Sequence, residues 1–187
     1  NPVIFLEHRW LHNTSAFRKK GDYRIKIGKS KVCNKGKDVT IISMSYLTLE
    51  AIKAAKYLSK KFKVSAEVID LRSIKPIDWL TIFKSVKKTK RLLVLDTGFT
   101  TNSIAAEIIA KITIDKFNLL KSAPIRLAMP DIPEPTSLSL TKDLYIRADT
   151  IVKNVLKSLK INYKNVSKDL ESTNPSDVPD SDFTGPF

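Results

Sequence analysis
A chain of 187 residues with 42% apolar side chains suffices for one domain of ordinary size with one packed core. The formal net charge of +14 admits an anionic partner, but Lys53, Lys56, Lys60 and Lys63 fall at helical spacing, which favours a solvated helix face over a nucleic-acid surface. No window of about 18 uninterrupted apolar residues occurs, so no membrane-spanning helix is expected.

The first residues, Asn1-Pro2, lack a methionine and run at once into Val3-Ile-Phe-Leu-Glu7, which predicts a first strand and suggests a fragment or a processed product. Arg9, His12 and Arg18 to Lys20 interrupt any secretory-leader pattern there. Polar, mixed residues from Glu7 to Gly21 predict an exposed connector. Tyr23 to Ile27 alternates with period two, Lys29 to Cys33 extends the pattern, and Asn34 to Asp38 reads as a turn. A hairpin into the next strand is therefore expected. Val39 to Met44 is a β-branched apolar run suited to a strand buried on both faces. Leu47, Ala51, Ala55, Leu58 and Phe62 then form a helical stripe.

Val64 to Asp70 predicts the next strand, and Lys75-Pro-Ile77 turns the chain. Asp78 is a good N-cap for a helix that buries Trp79, Ile82, Phe83 and Val86. Leu92 to Asp96 predicts a strand, Thr97 to Ser103 a polar loop, Ala105 to Leu119 a helix, and Pro124 to Met129 another strand. Asp149 or Thr150 caps a last helix with the stripe Ile151, Val152, Val155, Leu156 and Leu159. This alternation predicts an α/β fold with a mainly parallel sheet and right-handed crossovers. The expected division is a connector with the first strand over 1–20, a domain over 21–160 and an extended acidic tail over 161–187. In that tail Lys164 and Lys168 stand against Asp169, Glu171, Asp177, Asp180 and Asp182.

Asp70, Arg72, Asp96 and Asp131 mark the predicted strand ends, the edge where open parallel sheets bind ligands. No glycine cradle accompanies them. Gly21, Gly28, Gly36, Gly98 and Gly185 form neither G-x-G-x-x-G nor G-x-x-x-x-G-K-[ST], so no nucleotide site is expected. Turn capping and salt bridging is the favoured role of these acids, with Asp70, Arg72 and Asp78 as subunit contacts. His8 and His12 have metal-pair spacing but no evident third ligand, so no metal is expected. His8, beside Glu7, stays open as a general base. The segment Glu7-His8-Arg9-Trp10-Leu11-His12 reads better as an interface, since Trp and Arg are enriched where surfaces bury against partners. The single cysteine, Cys33, excludes an internal disulfide framework and fits a reducing compartment, from which a cytoplasmic location is expected. No serine elbow, Cys–His pair or carboxylate pair is present to carry catalysis.

Several segments resemble one family. They are Pro2 to His8, Ile27-Gly-Lys-Ser30, Gly36 to Ile42, Ala51 to Leu58, Glu67-Val-Ile-Asp-Leu-Arg72, Lys75-Pro-Ile-Asp78, Ser85 to Arg91, Ala106-Glu107-Ile108, Ala123 to Arg126 and Pro130-Asp-Ile-Pro-Glu-Pro135. Together they resemble the second half of the beta subunit of thiamine-diphosphate-dependent 2-oxoacid dehydrogenases of the pyruvate and branched-chain type, a transketolase C-terminal-like domain. The resemblance implies a three-layer α/β fold, mostly parallel with one antiparallel edge strand and helices on both faces. It implies thiamine diphosphate with Mg in the full enzyme and none in this chain, because the family's thiamine-activating glutamate and catalytic histidines belong to the preceding domain. This chain would then be a non-catalytic assembly and docking domain. Its partners would be a second copy, an alpha subunit or the preceding thiamine-binding domains, and a dihydrolipoyl acyltransferase. The matching domain of transketolase or of deoxyxylulose-phosphate synthase is the alternative, and a basic nucleic-acid module is a third. One departure stands out: Phe99 to Ala106 has hydroxyls and methyls where relatives often carry a glycine-rich turn.

Overall fold
The computed structural model describes residues 2–4, 6–8, 11, 20, 21, 24–141 and 144–170. Five strands form one sheet: β1 (Lys31–Asn34), β2 (Val39–Ser43), β3 (Ala66–Asp70), β4 (Leu92–Phe99) and β5 (Ile125–Met129). Their spatial order is β1-β3-β2-β4-β5. The pairs β2–β3, β2–β4 and β4–β5 are parallel, and β1 runs antiparallel to β3 at one edge. Among the described residues, no helix is long and apolar enough to cross a membrane.

The alternation of side chains along each central strand builds two separate cores. Ile41, Val68, Leu93 and Leu95 face α1 (Leu47–Phe62) and α5 (Ala148–Ser158). Ile42, Ile69, Leu92 and Val94 face α2 (Trp79–Thr89) and α3 (Ile104–Lys116). The fold is therefore a three-layer α/β sandwich. β2 is buried at every position, as its continuous apolar run requires of a strand covered on both sides. The predicted stripes of α1, α2 and α5 are the buried faces, with Phe62, Trp79, Phe83 and Leu159 half-buried at their margins. Two short helices complete the chain order, α4 (Leu138–Thr141) and α6 (Val166–Leu170). α6 lies within the stretch expected to be an extended tail, and its Val166 is buried in the α1–α5 core.

The expected hairpin does not form. β1 does not pair with β2, because both edges of β2 are occupied by parallel neighbours. The segment after β1 instead crosses the start of β3. The amides of Lys37 and Asp38 both donate to the Ser65 carbonyl, and the Asp38 carboxylate accepts from the Ser65 amide at 2.7 Å. Asn34 Nδ2 donates to the Ala66 carbonyl at 2.7 Å. β1 therefore takes the outer edge of β3, in the register Lys31 opposite Asp70. The strands expected at Val3–Glu7 and Tyr23–Ile27 are also absent from their described residues, since β1 already fills that sheet edge. Val3, Ile4 and Leu6 stand exposed.

Gly36 makes the crossing possible. A Cβ there would lie 2.2 Å from the Ala66 carbonyl carbon and 2.3 Å from the Glu67 nitrogen. Both obstacles are backbone and cannot rotate away. Gly36→Ala is expected to lower stability by roughly 3 kcal/mol, the upper end for overpacking. Exposed Gly98 meets nothing closer than 3.4 Å, so Gly98→Ala should stay within about 0.5 kcal/mol of the parent. Urea unfolding of both variants measures the contrast.

Candidate functional site
The carboxyl ends of β2, β3 and β4 collect the polar residues that the sequence marks. Each acid there already has partners within the chain. Asp70 closes β3 and accepts from Arg72 Nε at 2.9 Å. Arg72 has φ 56°, in the left-handed region that disfavours a side chain, and the ion pair helps hold it there. The loop after it contains the cis bond Lys75–Pro76. Gly28, at φ 75°, packs so close to that loop that a Cβ would sit 2.9 Å from Pro76 Cγ.

Asp78 ties this loop to both its neighbours. One carboxylate oxygen accepts from the Thr81 amide at 3.3 Å, which caps α2. The other accepts from the Ser30 amide at 3.0 Å and from Thr81 Oγ1 at 2.9 Å. Ser30 Oγ in turn donates to the Leu71 carbonyl. Burial opposes the charge on Asp78, but the Ser30 and Thr81 donors outweigh it and hold the carboxyl below its ordinary range.

Asp96 acts in the same way inside β4, three residues before its end. It is buried, accepts from the Gly98 amide at 2.9 Å, and accepts from the Ala105 amide at 3.0 Å at the start of α3. The chain's own carboxylate thus occupies the anion-binding position of that helix, with Ser103 as the side-chain cap. Exposed Asp131 accepts from the Thr101 amide at 2.9 Å and its hydroxyl at 2.7 Å, and these two bonds lower its pKa. The expected loop over Thr97–Ser103 is shorter than predicted, since β4 continues to Phe99, and the turn that follows is held by Asp96, Asp131 and Ser103.

His8 packs against Tyr46 with tilted rings, centroids 4.7 Å apart, and burial lowers its pKa below the usual histidine value. Burial pushes the Tyr46 hydroxyl up to about 12. One turn on, Glu50 accepts from the Ala148 amide at 2.7 Å and lies 3.6 Å from Arg147, which joins the starts of α1 and α5. Arg9, Trp10 and His12 lie outside the described residues. Among the described residues, no group of three or more His, Cys, Asp or Glu could hold a metal ion. Burial, reinforced by Asp70, raises the pKa of half-buried Cys33, which makes it a poor nucleophile.

A polar cluster not singled out from sequence lies beneath α2. Thr40 hydrogen-bonds Ser85 and Thr89 at 2.6 and 2.7 Å, and buried Glu67 pairs with Lys88. Burial works against the Glu67 charge, yet Lys88, Ser85 and the Gly36 amide hold its carboxyl low. The one sequence signal was an acid inside an otherwise apolar strand.

Asp78→Ala is expected to cost about 1–2 kcal/mol at neutral pH, the usual loss for an N-cap. The sign of its pH dependence follows from its depressed folded-state pKa. The stabilisation is present above the unfolded-state value of about 3.9 and is lost as pH falls through the lower folded-state value. Urea unfolding across that acid range should therefore show the wild-type advantage shrinking toward the variant.

A family model for the transketolase C-terminal domain matches residues 28–151. The chain is 36% identical over 165 residues to the pyruvate dehydrogenase E1 component subunit beta, mitochondrial, of Chaetomium thermophilum, covering 86% of this chain and 43% of that protein. It is 39% identical over 157 residues to subunit beta-1, mitochondrial, of Oryza sativa subsp. japonica, covering 82% and 42%. It is 38% identical over 165 residues to the mitochondrial subunit beta of Drosophila melanogaster, covering 85% and 45%. The chain thus spans less than half the length of these relatives. A solved split-gene transketolase, an inactive beta4 tetramer, shares the fold with TM-score 0.63 at 24% identity, covering 76% of this chain and 45% of that one. The mitochondrial names overturn the expected cytoplasmic location. A lone reduced cysteine reports on redox state and cannot separate the cytoplasm from an organelle's interior. The chain belongs to the transketolase C-terminal domain family, in the company of pyruvate dehydrogenase E1 beta subunits.

Proposed function
We propose that this chain is the non-catalytic assembly and docking domain of a thiamine-diphosphate-dependent enzyme that oxidatively decarboxylates a 2-oxoacid, pyruvate being the favoured substrate. The reading is carried by one observation: the strand-end acids Asp70, Asp78, Asp96 and Asp131 are all engaged in holding loops and helix starts. These bonds favour a structural role for the four acids. The similarity to E1 beta subunits supplies the enzyme class.

Thiamine diphosphate does not fit the residues described here. Its diphosphate needs a metal or a backbone cradle, and the α3 amide that could receive an anion is already bonded to Asp96. The cofactor belongs to the assembled enzyme, with the preceding thiamine-binding domains or an alpha subunit supplying its site. No step of its chemistry is assigned to this chain.

What the domain offers instead is a shaped rim. Asp70, Arg72 and Asp78 fix the loop after β3, while Ile74 and Leu80 on either side of Asp78 stand 54% and 60% exposed. Ile27, next to the Gly28–Pro76 contact, is 83% exposed. Apolar side chains on a rigid, hydrogen-bonded loop are suited to an interface, because little ordering entropy is lost when they are covered. Glu7 and His8 are proposed as further contact residues, as are Arg9, Trp10 and His12, which lie outside the described residues. A second copy is the first partner, and a dihydrolipoyl acyltransferase is a further one.

Sedimentation velocity over the micromolar range tests this. The wild-type chain should dimerise, and Ile74→Asp with Leu80→Asp should yield a monomer with an unchanged circular dichroism spectrum. A wild type that stays monomeric, or a folded double variant that still dimerises, rejects the interface.

A further inference from the structure
Lysines gather at the edge where the parallel strands begin. Each crossover helix runs back along the sheet, so α1, α2 and α3 end where the next strand starts. Three backbone contacts knit the loops there into one rim. The Lys37 amide donates to the Ser65 carbonyl at 3.0 Å, the Thr40 amide to the Arg91 carbonyl at 2.9 Å, and the Lys121 amide to the Lys90 carbonyl at 2.8 Å. Lys35, Lys37, Lys63, Lys87, Lys90 and Lys121 all stand exposed around it. Among the described residues, no carboxylate pairs with any of these six. The acids of this edge are engaged elsewhere. Asp38 takes the Ser65 amide, Glu67 takes Lys88, Asp115 takes Lys111 and Asp169 takes Lys61. At the same corner, Arg91 Nε and Ser122 Oγ are buried donors with no acceptor among the described residues.

Helix-end electrostatics accounts for part of this charge. Cations in the last turns of α1 and α2 balance the negative ends of those helices. It does not account for Lys35, Lys37 and Lys121, which lie outside every described helix and strand. Nor does it require lysine as the residue that closes a helix. Lys63 and Lys90 follow α1 and α2 in left-handed backbone, with φ 57° and 59°. Glycine is the usual residue there, because a β-carbon crowds the backbone in that conformation. At both positions the chain carries a cation in place of the residue that fits best.

We propose that this rim seats the domain on an anionic lipid surface, its lysines facing the phosphate and carboxylate groups of the lipid heads. The cations come from separate loops and helix ends, on flexible stems without fixed partners. Mobile headgroups can move to meet charges placed in that way, and each lysine near such a surface adds to the attraction. Nucleic-acid recognition favours arginine forks and aromatic platforms, whereas the exposed cations of this rim are lysines. Phe117, 67% exposed and four residues before Lys121, supplies an apolar side chain to enter the headgroup layer. The rim lies at the opposite end of the parallel strands from Asp70 and Asp78, so the interface proposed above stays free. Lipid attachment here does not depend on the enzyme class proposed above.

Co-sedimentation of the full chain with vesicles tests this. Phosphatidylcholine vesicles containing phosphatidylserine should bind it, vesicles of phosphatidylcholine alone should not, and high salt should release it. Lys63→Gly with Lys90→Gly should weaken binding roughly thirtyfold, the scale of two lysines at a charged lipid surface. The same variant should keep or raise the thermal midpoint, because glycine relieves the left-handed positions. That outcome separates docking from a stabilising role. Lys53 and Lys56 stand about 15 and 10 Å back along α1 from Lys63, beyond the screening length of about 8 Å. Lys53→Ala with Lys56→Ala should therefore bind like the parent. No binding to the phosphatidylserine vesicles overturns the proposal, as does equal loss in the two double variants, which would mark a response to net charge. Tighter binding to oligouridylate or to an oligoglutamate peptide than to the vesicles also overturns it and reassigns the rim to that polyanion.

Discussion
The fold depends on the burial of three parallel strands on both faces. β2, β3 and β4 have no wet side, so every polar group of the turns that leave them must be satisfied locally or face a desolvation penalty. The chain meets this with its own carboxylates. Asp70 closes β3, Asp78 stands beyond it and Asp96 lies within β4, and each takes protein donors. Asp131 does the same after β5. The opposite edge follows the same logic: Asp38 holds the entry to β3, and Glu67 takes the Gly36 amide and Lys88. The edge where open α/β sheets commonly perform chemistry is here a network of fixed turns.

This explains why strand-end acids alone are a weak sign of activity. A catalytic carboxylate needs a proton-transfer partner in a substrate and a pKa shifted toward the working pH. Asp78, Asp131 and Glu67 are shifted the other way, toward permanent ionisation, by the donors around them. That direction belongs to groups that hold structure. His8 is also moved away from easy protonation by its burial against Tyr46. A rigid rim of this kind is what an assembly domain requires, and the exposed Ile74 and Leu80 beside it give that rim an apolar content.

Much of the architecture was legible in the residues. The run Val39–Met44 could only be a central strand, and the stripes of α1, α2 and α5 needed nothing beyond period 3.6. Asp78 was readable as a cap because capping is local. Its second role was not, since Ser30 lies 48 positions away and nothing in the letters joins them. Long sequence separation likewise hides Glu50 from Ala148 and Thr40 from Ser85. The pairing of β1 failed for a related reason. An alternating pattern identifies a strand but not its neighbour, and the nearest strand in sequence had both edges filled. The letters around Gly36 read as a turn, whereas its packing against the Ala66–Glu67 backbone explains the crossing to β3.

The most direct measurement of the central claim is calorimetric titration of this folded chain with thiamine diphosphate and Mg. The account predicts no saturable heat, because the chain's own carboxylates occupy the positions where an anion would be received. Saturable binding with micromolar affinity would contradict it and return the strand ends to the status of a cofactor site.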